Sequence, residues 1–273
     1  MTASVFPELK VMLLTGCAGG IGRHLAAVFA AQGHRLIMTD IQPITPEESW
    51  NSERVMLRQL DVCDYSAWEQ AVNLAVQRWG RLDVMINLAA VLHPGYILDL
   101  TPEQIAQHIN VNVTGTLYGT HAAAAQMKQQ PGGGHIINFA SLAALAPIPG
   151  IAAYSASKHA VRGFSLAAVI EFKKYGIAVT TISPDAVQTP MLDLELQNDA
   201  AALTFSGFGI LSVEDVEKAV MKALRKKPLE MTIPRHRGWT AKIAGIFPGI
   251  GMLLEPILTR LGRRTQNRLR SRR

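Results

Sequence analysis

The chain of 273 residues is 48% hydrophobic and 18% charged, with 27 Lys+Arg against 21 Asp+Glu, a composition that excludes disordered and fibrous proteins. Its two cysteines, Cys17 and Cys63, lack paired spacing, which argues against a disulfide framework or a cysteine zinc site and suits a reducing, cytoplasmic setting. The basic surplus sits at the end. From Arg235 onward ten Lys/Arg stand against Glu255 alone, so the preceding body is mildly acidic and carries no mark of a nucleic-acid-binding domain.

Residues 1–10 lack the basic start and apolar core of a secretory signal. Two uncharged stretches, 129–157 and 243–254, are interrupted by Pro and Gly, and the second is too short to span a bilayer. Short apolar runs at 11–14, 35–39, 55–60, 84–86, 135–139, 178–182 and 231–233 read as strands. Helix-forming composition and helical spacing occupy 21–32, 67–78, 105–128, 152–175 and 213–226. This alternation predicts an α/β fold over 1–234: a Rossmann-type doubly wound parallel sheet, covered on both faces, with ligands at the carboxyl ends of its strands. A basic amphipathic extension over 235–273 follows it.

After the first strand, Thr15-Gly16-Cys17-Ala18-Gly19-Gly20-Ile21-Gly22 forms a turn whose Gly16, Gly20 and Gly22 remove side chains that would block a pyrophosphate. The helix opening at Ile21 presents unpaired amides and a positive dipole end, an anion site without a lysine. Asp40, ending the second strand, can accept hydrogen bonds from an adenosine ribose and would repel a 2′-phosphate, so NAD is expected over NADP. Arg23 is the cation that tells against that preference, and a loop-capping role is the alternative for Asp40.

Tyr154 and Lys158 stand four apart at the start of a predicted helix and share a face. A phenol titrates near ~10 when unperturbed, and a cation within reach typically lowers it by roughly 1 to 3 units. Ser141, after the strand at 135–139, can present a hydroxyl beside that phenol. His93, His121 and His159 have no partners at metal-ligand spacing, and no metal is predicted.

Taken in order, TGCAGGIG, Asp61-Val62, Asn112, Ser141, Tyr154-x3-Lys158 and Pro184…Thr189 resemble the short-chain dehydrogenase/reductase family over residues 10 to about 233. The resemblance implies that Tyr154 is the general acid/base, that Lys158 lowers its pKa and binds the nicotinamide ribose, and that Ser141 holds the substrate oxygen. It implies that Asn112 positions a water connecting Lys158 to solvent, with Asn110 the competing assignment. Asp61 and Val62 would flank adenine, and Thr189 would hold the nicotinamide carboxamide. Asn87, Ala89, Pro184 and Val187 occupy family positions beside the cofactor. Dimers or tetramers through the long helices are implied as well. The Tyr-x3-Lys spacing is tighter than in the related enoyl reductases, which favours carbonyl/alcohol exchange. Two departures stand out: Asn87-Leu88-Ala89-Ala90 replaces the usual Asn-Asn-Ala-Gly, and Pro184-Asp185 replaces Pro-Gly, bringing a carboxylate near the nicotinamide.

The residues expected around the substrate, Leu142, Leu145, Pro147, Ile148, Val187, Met191, Leu192 and Leu194, are apolar, and 189–211 holds no Lys or Arg. A lipophilic secondary alcohol or ketone is therefore the expected substrate, although the same loop could instead pack on the body or on another subunit. The extension joins Trp239, Ile243, Ile246, Phe247, Ile250 and Leu253 to an arginine-rich end. That pattern suits a helix lying peripherally on anionic lipid, where each basic residue contributes about 1 kcal/mol. A subunit-contact arm and a cap over the pocket are the competing readings. The expected activity is hydride transfer between NAD(H) and such an alcohol or ketone. The alternative is a catalytically weak nucleotide-binding scaffold that docks on membrane or a partner through its tail.

Overall fold

Backbone groups in short buried apolar runs must find hydrogen-bond partners, and in this chain seven short runs find them in one another, the central ones buried on both faces. The computed structural model describes residues 8–207 and 209–271. In it β1 (Val11–Leu14), β2 (Arg35–Asp40), β3 (Val55–Gln59), β4 (Val84–Asn87), β5 (Gly134–Phe139), β6 (Ile177–Pro184) and β7 (Glu230–Ile233) form one parallel sheet in the order β3-β2-β1-β4-β5-β6-β7. Alternate side chains serve opposite layers. Met12 and Leu14 of β1 pack with α1 (Gly20–Ala31) and α7 (Val213–Lys226), whereas Val11 and Leu13 pack with α2 (Tyr65–Trp79), α4 (Gly115–Met127) and α5 (Ala152–Phe172). The strand order reverses between β1 and β4, and a crevice opens there beyond the strand ends.

Three regions differ from the pattern of the sequence. The helix predicted over 105–128 is divided into α3 (Pro102–Gln107), a π-helical turn at His108–Thr114, and α4. The extra residue in that turn swings Asn112 inward, where its amide pairs with both backbone groups of Val91. The loop expected around Thr189 contains α6 (Pro190–Gln197) and a 3₁₀ segment, Asp199–Ser206. Pro190 at the first helical position starts α6.

The extension forms α8 (Arg235–Ile246) and α9 (Pro248–Arg270), and α9 folds back on the 3₁₀ segment. Gly262 permits the approach, since a Cβ there would collide with the Ala202 carbonyl. Gln266 is buried and its Nε2 donates to the carbonyls of Glu195, Leu196 and Asn198 at 3.0, 3.3 and 2.8 Å. Arg270 adds a bond to the Leu196 carbonyl at 2.6 Å and an ion pair with Asp199 at 2.7 Å. The Glu195 and Asn198 carbonyls also accept from the backbone N–H groups of Asn198 and Ala201, so among these carbonyls it is that of Leu196 that depends on Gln266 and Arg270. Among the described residues no helix is long and apolar enough to cross a membrane.

Candidate active site

The crevice is a cavity of about 1590 Å³ that runs from the glycine turn to the inner side of α8 and α9. At one end Gly16 and Gly20 take φ of 70° and 55°, the left-handed region in which a side chain would be strained. A Cβ at Gly22 would strike the Gly16 carbonyl, so the turn can close onto α1 only with glycine there. The N-terminus of α1 has no side-chain cap, which leaves its amides available to an anion beside Ile21. Across the cleft Thr189 approaches this turn, and a Cβ at Gly20 would lie 3.5 Å from the threonine methyl.

Asp40 lines the cavity while accepting from the amides of Ala18 and Gln42, each at 2.9 Å. A carboxylate has about four acceptor positions, so the loop-capping role and ribose recognition are compatible. Arg23, the cation that told against NAD, is drawn away: it donates to the Thr45 carbonyl at 3.0 Å and pairs with Glu47 at 2.9 Å. Asp61 and Val62 form the next stretch of wall, with the Val62 carbonyl held by the Trp68 indole at 3.0 Å. Ala89, Pro184 and Val187 also line the cleft. The glycine cradle, free amides and flanking carboxylate together fit a dinucleotide, its pyrophosphate at the turn and its adenosine ribose at Asp40.

Of the apolar residues expected around the substrate, Leu145 and Leu194 do not line the cavity, and two of the polar residues singled out from the sequence lie behind the wall. Asn87 donates to Asn138 at 2.8 Å and Thr120 at 3.2 Å within a buried network that does not reach the cavity. Asn112 clamps Val91 and donates to the Ser157 hydroxyl at 3.0 Å, bracing α5 from beneath, whereas Asn110 and Val111 are the members of that turn lining the cleft.

Tyr154, Lys158 and Ser141 meet at the inner end. The β5 strand ends where the Ser141 hydroxyl caps a short turn by accepting from Ala143 at 3.1 Å. The first turns of α5 carry Tyr154 and Lys158 on its buried face. The Lys158 ammonium lies 5.6 Å from the centre of the Tyr154 ring and donates to the Phe139 carbonyl at 2.9 Å. Burial lowers the ammonium to about 8. Burial pushes the phenol well above its ordinary value, the Glu195 carboxyl adds to the rise, and the hydrogen bond with Ser141 opposes it. The direction is opposite to the one expected from a nearby lysine, because desolvation outweighs the cation in this dry corner.

The titratable residues of the cavity not singled out as site residues include Glu195 on α6, His236 and Arg237 on α8, and Glu255 on α9. Leu192, Glu195 and Leu196 form the buried face of α6, so an acid at i+3 within an apolar i, i+3, i+4 stripe was the available signal. For Arg237 the signal was Asp185 itself. That carboxylate is answered by the Arg237 guanidinium at 2.8 Å, which neutralises the charge placed where the family has glycine. The stretch 189–211 holds no Lys or Arg, but Arg237 reaches the cavity from outside it.

Fold and site together define a nicotinamide-dinucleotide-binding oxidoreductase. A family model described as short chain dehydrogenase matches residues 10–200, and the chain belongs to that family. A trans-4-hydroxycyclohexanecarboxylate dehydrogenase from Sinomonas cyclohexanicum is 34% identical over 193 residues, covering 67% of this chain and 74% of that protein. An (S)-acetoin-forming diacetyl reductase from Staphylococcus epidermidis is 34% identical over 189 residues, with 67% and 74% covered. A short-chain dehydrogenase from Mycobacterium paratuberculosis, solved bound to NAD, is 28% identical with a TM-score of 0.71, covering 82% of this chain and 95% of that one. Solved chains of this fold hold NADP as well as NAD.

Proposed function

We propose that the protein interconverts lipophilic secondary alcohols and ketones with NAD(H), with Tyr154 exchanging the proton. The observation that carries this reading is the convergence of Tyr154, Ser141 and Lys158 in one cavity with the glycine cradle and Asp40. When bound, a nicotinamide supplies the acceptor or donor of hydride. The Ser141 hydroxyl holds the substrate oxygen, and the Tyr154 hydroxyl beside it gives a proton to that oxygen during reduction and removes it during oxidation. Burial keeps the phenol protonated at neutral pH, the form needed to reduce a ketone. One N–H of Lys158 is anchored on Phe139, leaving the others to hold ribose hydroxyls. Asn112 acts at one remove, by bracing α5 through Ser157. Ile151, Leu192 and Leu203 give the substrate end apolar walls, and the alcohol and ketone chemistry named for the two curated relatives supports the same class.

The test of cofactor choice is a paired assay. Wild type should show kcat/KM for NADH at least about tenfold above NADPH, a difference near 1.4 kcal/mol. Asp40→Asn, which removes the charge and keeps an acceptor, should narrow that ratio mainly through KM. Equal use of NADPH by wild type defeats the assignment.

The outer side of α8 and α9 supports lipid contact. Besides Met252 and Leu254, which line the cavity, eight large apolar side chains between Trp239 and Leu261 are exposed, among them Trp239 at 66%, Leu253 at 77% and Ile257 at 59%. Arg260, Arg263, Arg264 and Arg268 follow without an acidic partner among the described residues. Such a surface fits peripheral binding to an anionic membrane, from which a lipophilic substrate could pass beneath α9. Full-length protein should sediment with phosphatidylserine-containing vesicles, and Leu253→Glu with Ile257→Glu should cut the bound fraction several-fold. Unchanged sedimentation rejects the contact.

A further inference from the structure

The substrate end of the cavity holds a carboxyl group that the proton exchange at Tyr154 does not use. Glu195 is 6% exposed. Its Oε1 accepts from the Thr204 hydroxyl at 2.7 Å, and no described residue donates to Oε2, although the side chain lines the cavity. A buried carboxylate with spare acceptor capacity is costly to maintain without a donor. The side chain is not free to swing out to solvent. The end of α6 is pinned by the three Gln266 bonds and by Arg270, and the Thr204 hydroxyl fixes one oxygen. Its neighbours explain why no protein cation serves it: Arg237 is engaged by Asp185, and Lys158 is anchored on Phe139. Tyr154 and Glu195 line the same cavity, so one molecule can meet both groups.

We propose that Glu195 determines specificity by accepting a hydrogen bond from a second donor group on the substrate, a hydroxyl or an ammonium, while Ser141 and Tyr154 hold the reacting oxygen. The substrate class is then a largely apolar secondary alcohol or ketone bearing one further donor. This rests on the reading that the cavity carries out alcohol/ketone exchange. The fit is electrostatic as well as geometric. Glu255 is a further acceptor on the cavity wall, whereas the charge of Asp185 is already answered by Arg237, so the open acceptor that an added donor meets beside Tyr154 is Glu195.

The test compares cyclohexanol with the cyclohexanediols and the aminocyclohexanols as substrates for wild type, Glu195→Leu and Glu195→Gln. Wild type should prefer at least one difunctional substrate over cyclohexanol by tenfold or more in kcat/KM. Glu195→Leu should abolish that preference by raising KM for the difunctional substrate, with cyclohexanol changed less than threefold. Glu195→Gln, whose amide carbonyl still accepts, should rescue a diol and fail to rescue an ammonium, which separates the two donors. No preference in wild type, or an equal loss for mono- and difunctional substrates in Glu195→Leu, overturns the proposal and leaves the oxidoreductase reading standing. Failure of wild type to turn over any of these alcohols with either cofactor rejects both.

Discussion

Tyr154→Phe should lower kcat by roughly 10²–10⁴-fold, the usual loss when a positioned acid/base is removed, equivalent to about 3–5 kcal/mol of barrier. The ring remains, so the buried packing of α5 is kept, and only the hydrogen bond with Ser141 is lost. A neutral hydrogen bond contributes roughly 1 kcal/mol, so the melting temperature should change little. NADH binding, followed by fluorescence, should stay within about threefold because the cradle lies at the other end of the cavity. A variant that keeps full turnover would remove Tyr154 from the proton exchange and favour a scaffold that binds nucleotide without catalysis.

The strands, the glycine turn and the Tyr154–Lys158 pair were legible because each is a local pattern with a short period or fixed spacing. Legibility failed where a residue's meaning depends on a partner far along the chain. Asp185 reads as a disturbance until Arg237 is brought against it from α8. Gln266 is one polar residue in a basic helix until its amide is seen serving the end of α6. The tail pattern of apolar residues followed by arginines described one face of α9. Gly262 and Gln266, which dock the other face, carry no periodic signal. The extension therefore closes over the cavity within its own chain, while its outward apolar side stays exposed. The sign of the Tyr154 shift was missed for a related reason, since spacing shows that a lysine is near but not how dry the site is.

Glu195→Gln should raise stability by an amount that grows with pH between about 4.5 and 7. Burial, with Asp185 adding like charge and the Thr204 bond opposing, pushes the Glu195 carboxyl from 4.5 up to about 7. Between those values the folded chain keeps a proton that the unfolded chain has released, so stability falls as pH rises and the full cost is present above pH 7. At 1.36 kcal/mol per pKa unit that cost is on the order of 3 kcal/mol, which the uncharged amide avoids while still accepting from Thr204. For a chain of this size the difference in melting temperature between variant and wild type should open from near zero at pH 4.5 to roughly 6–10 °C at pH 8. Other buried groups do not mimic this. His34 and His135, lowered to about 4 and about 3 by burial, make stability rise with pH, and they do so equally in both proteins. Lys158, lowered to about 8, relieves its own cost only above that pH. The remaining groups at this end, Tyr154, Arg237, His236 and Glu255, are also common to both. A difference in melting temperature that stays constant from pH 5 to pH 8 would mean that the Glu195 carboxyl is solvated in the folded protein, and would remove the basis for its role in recognising a donor.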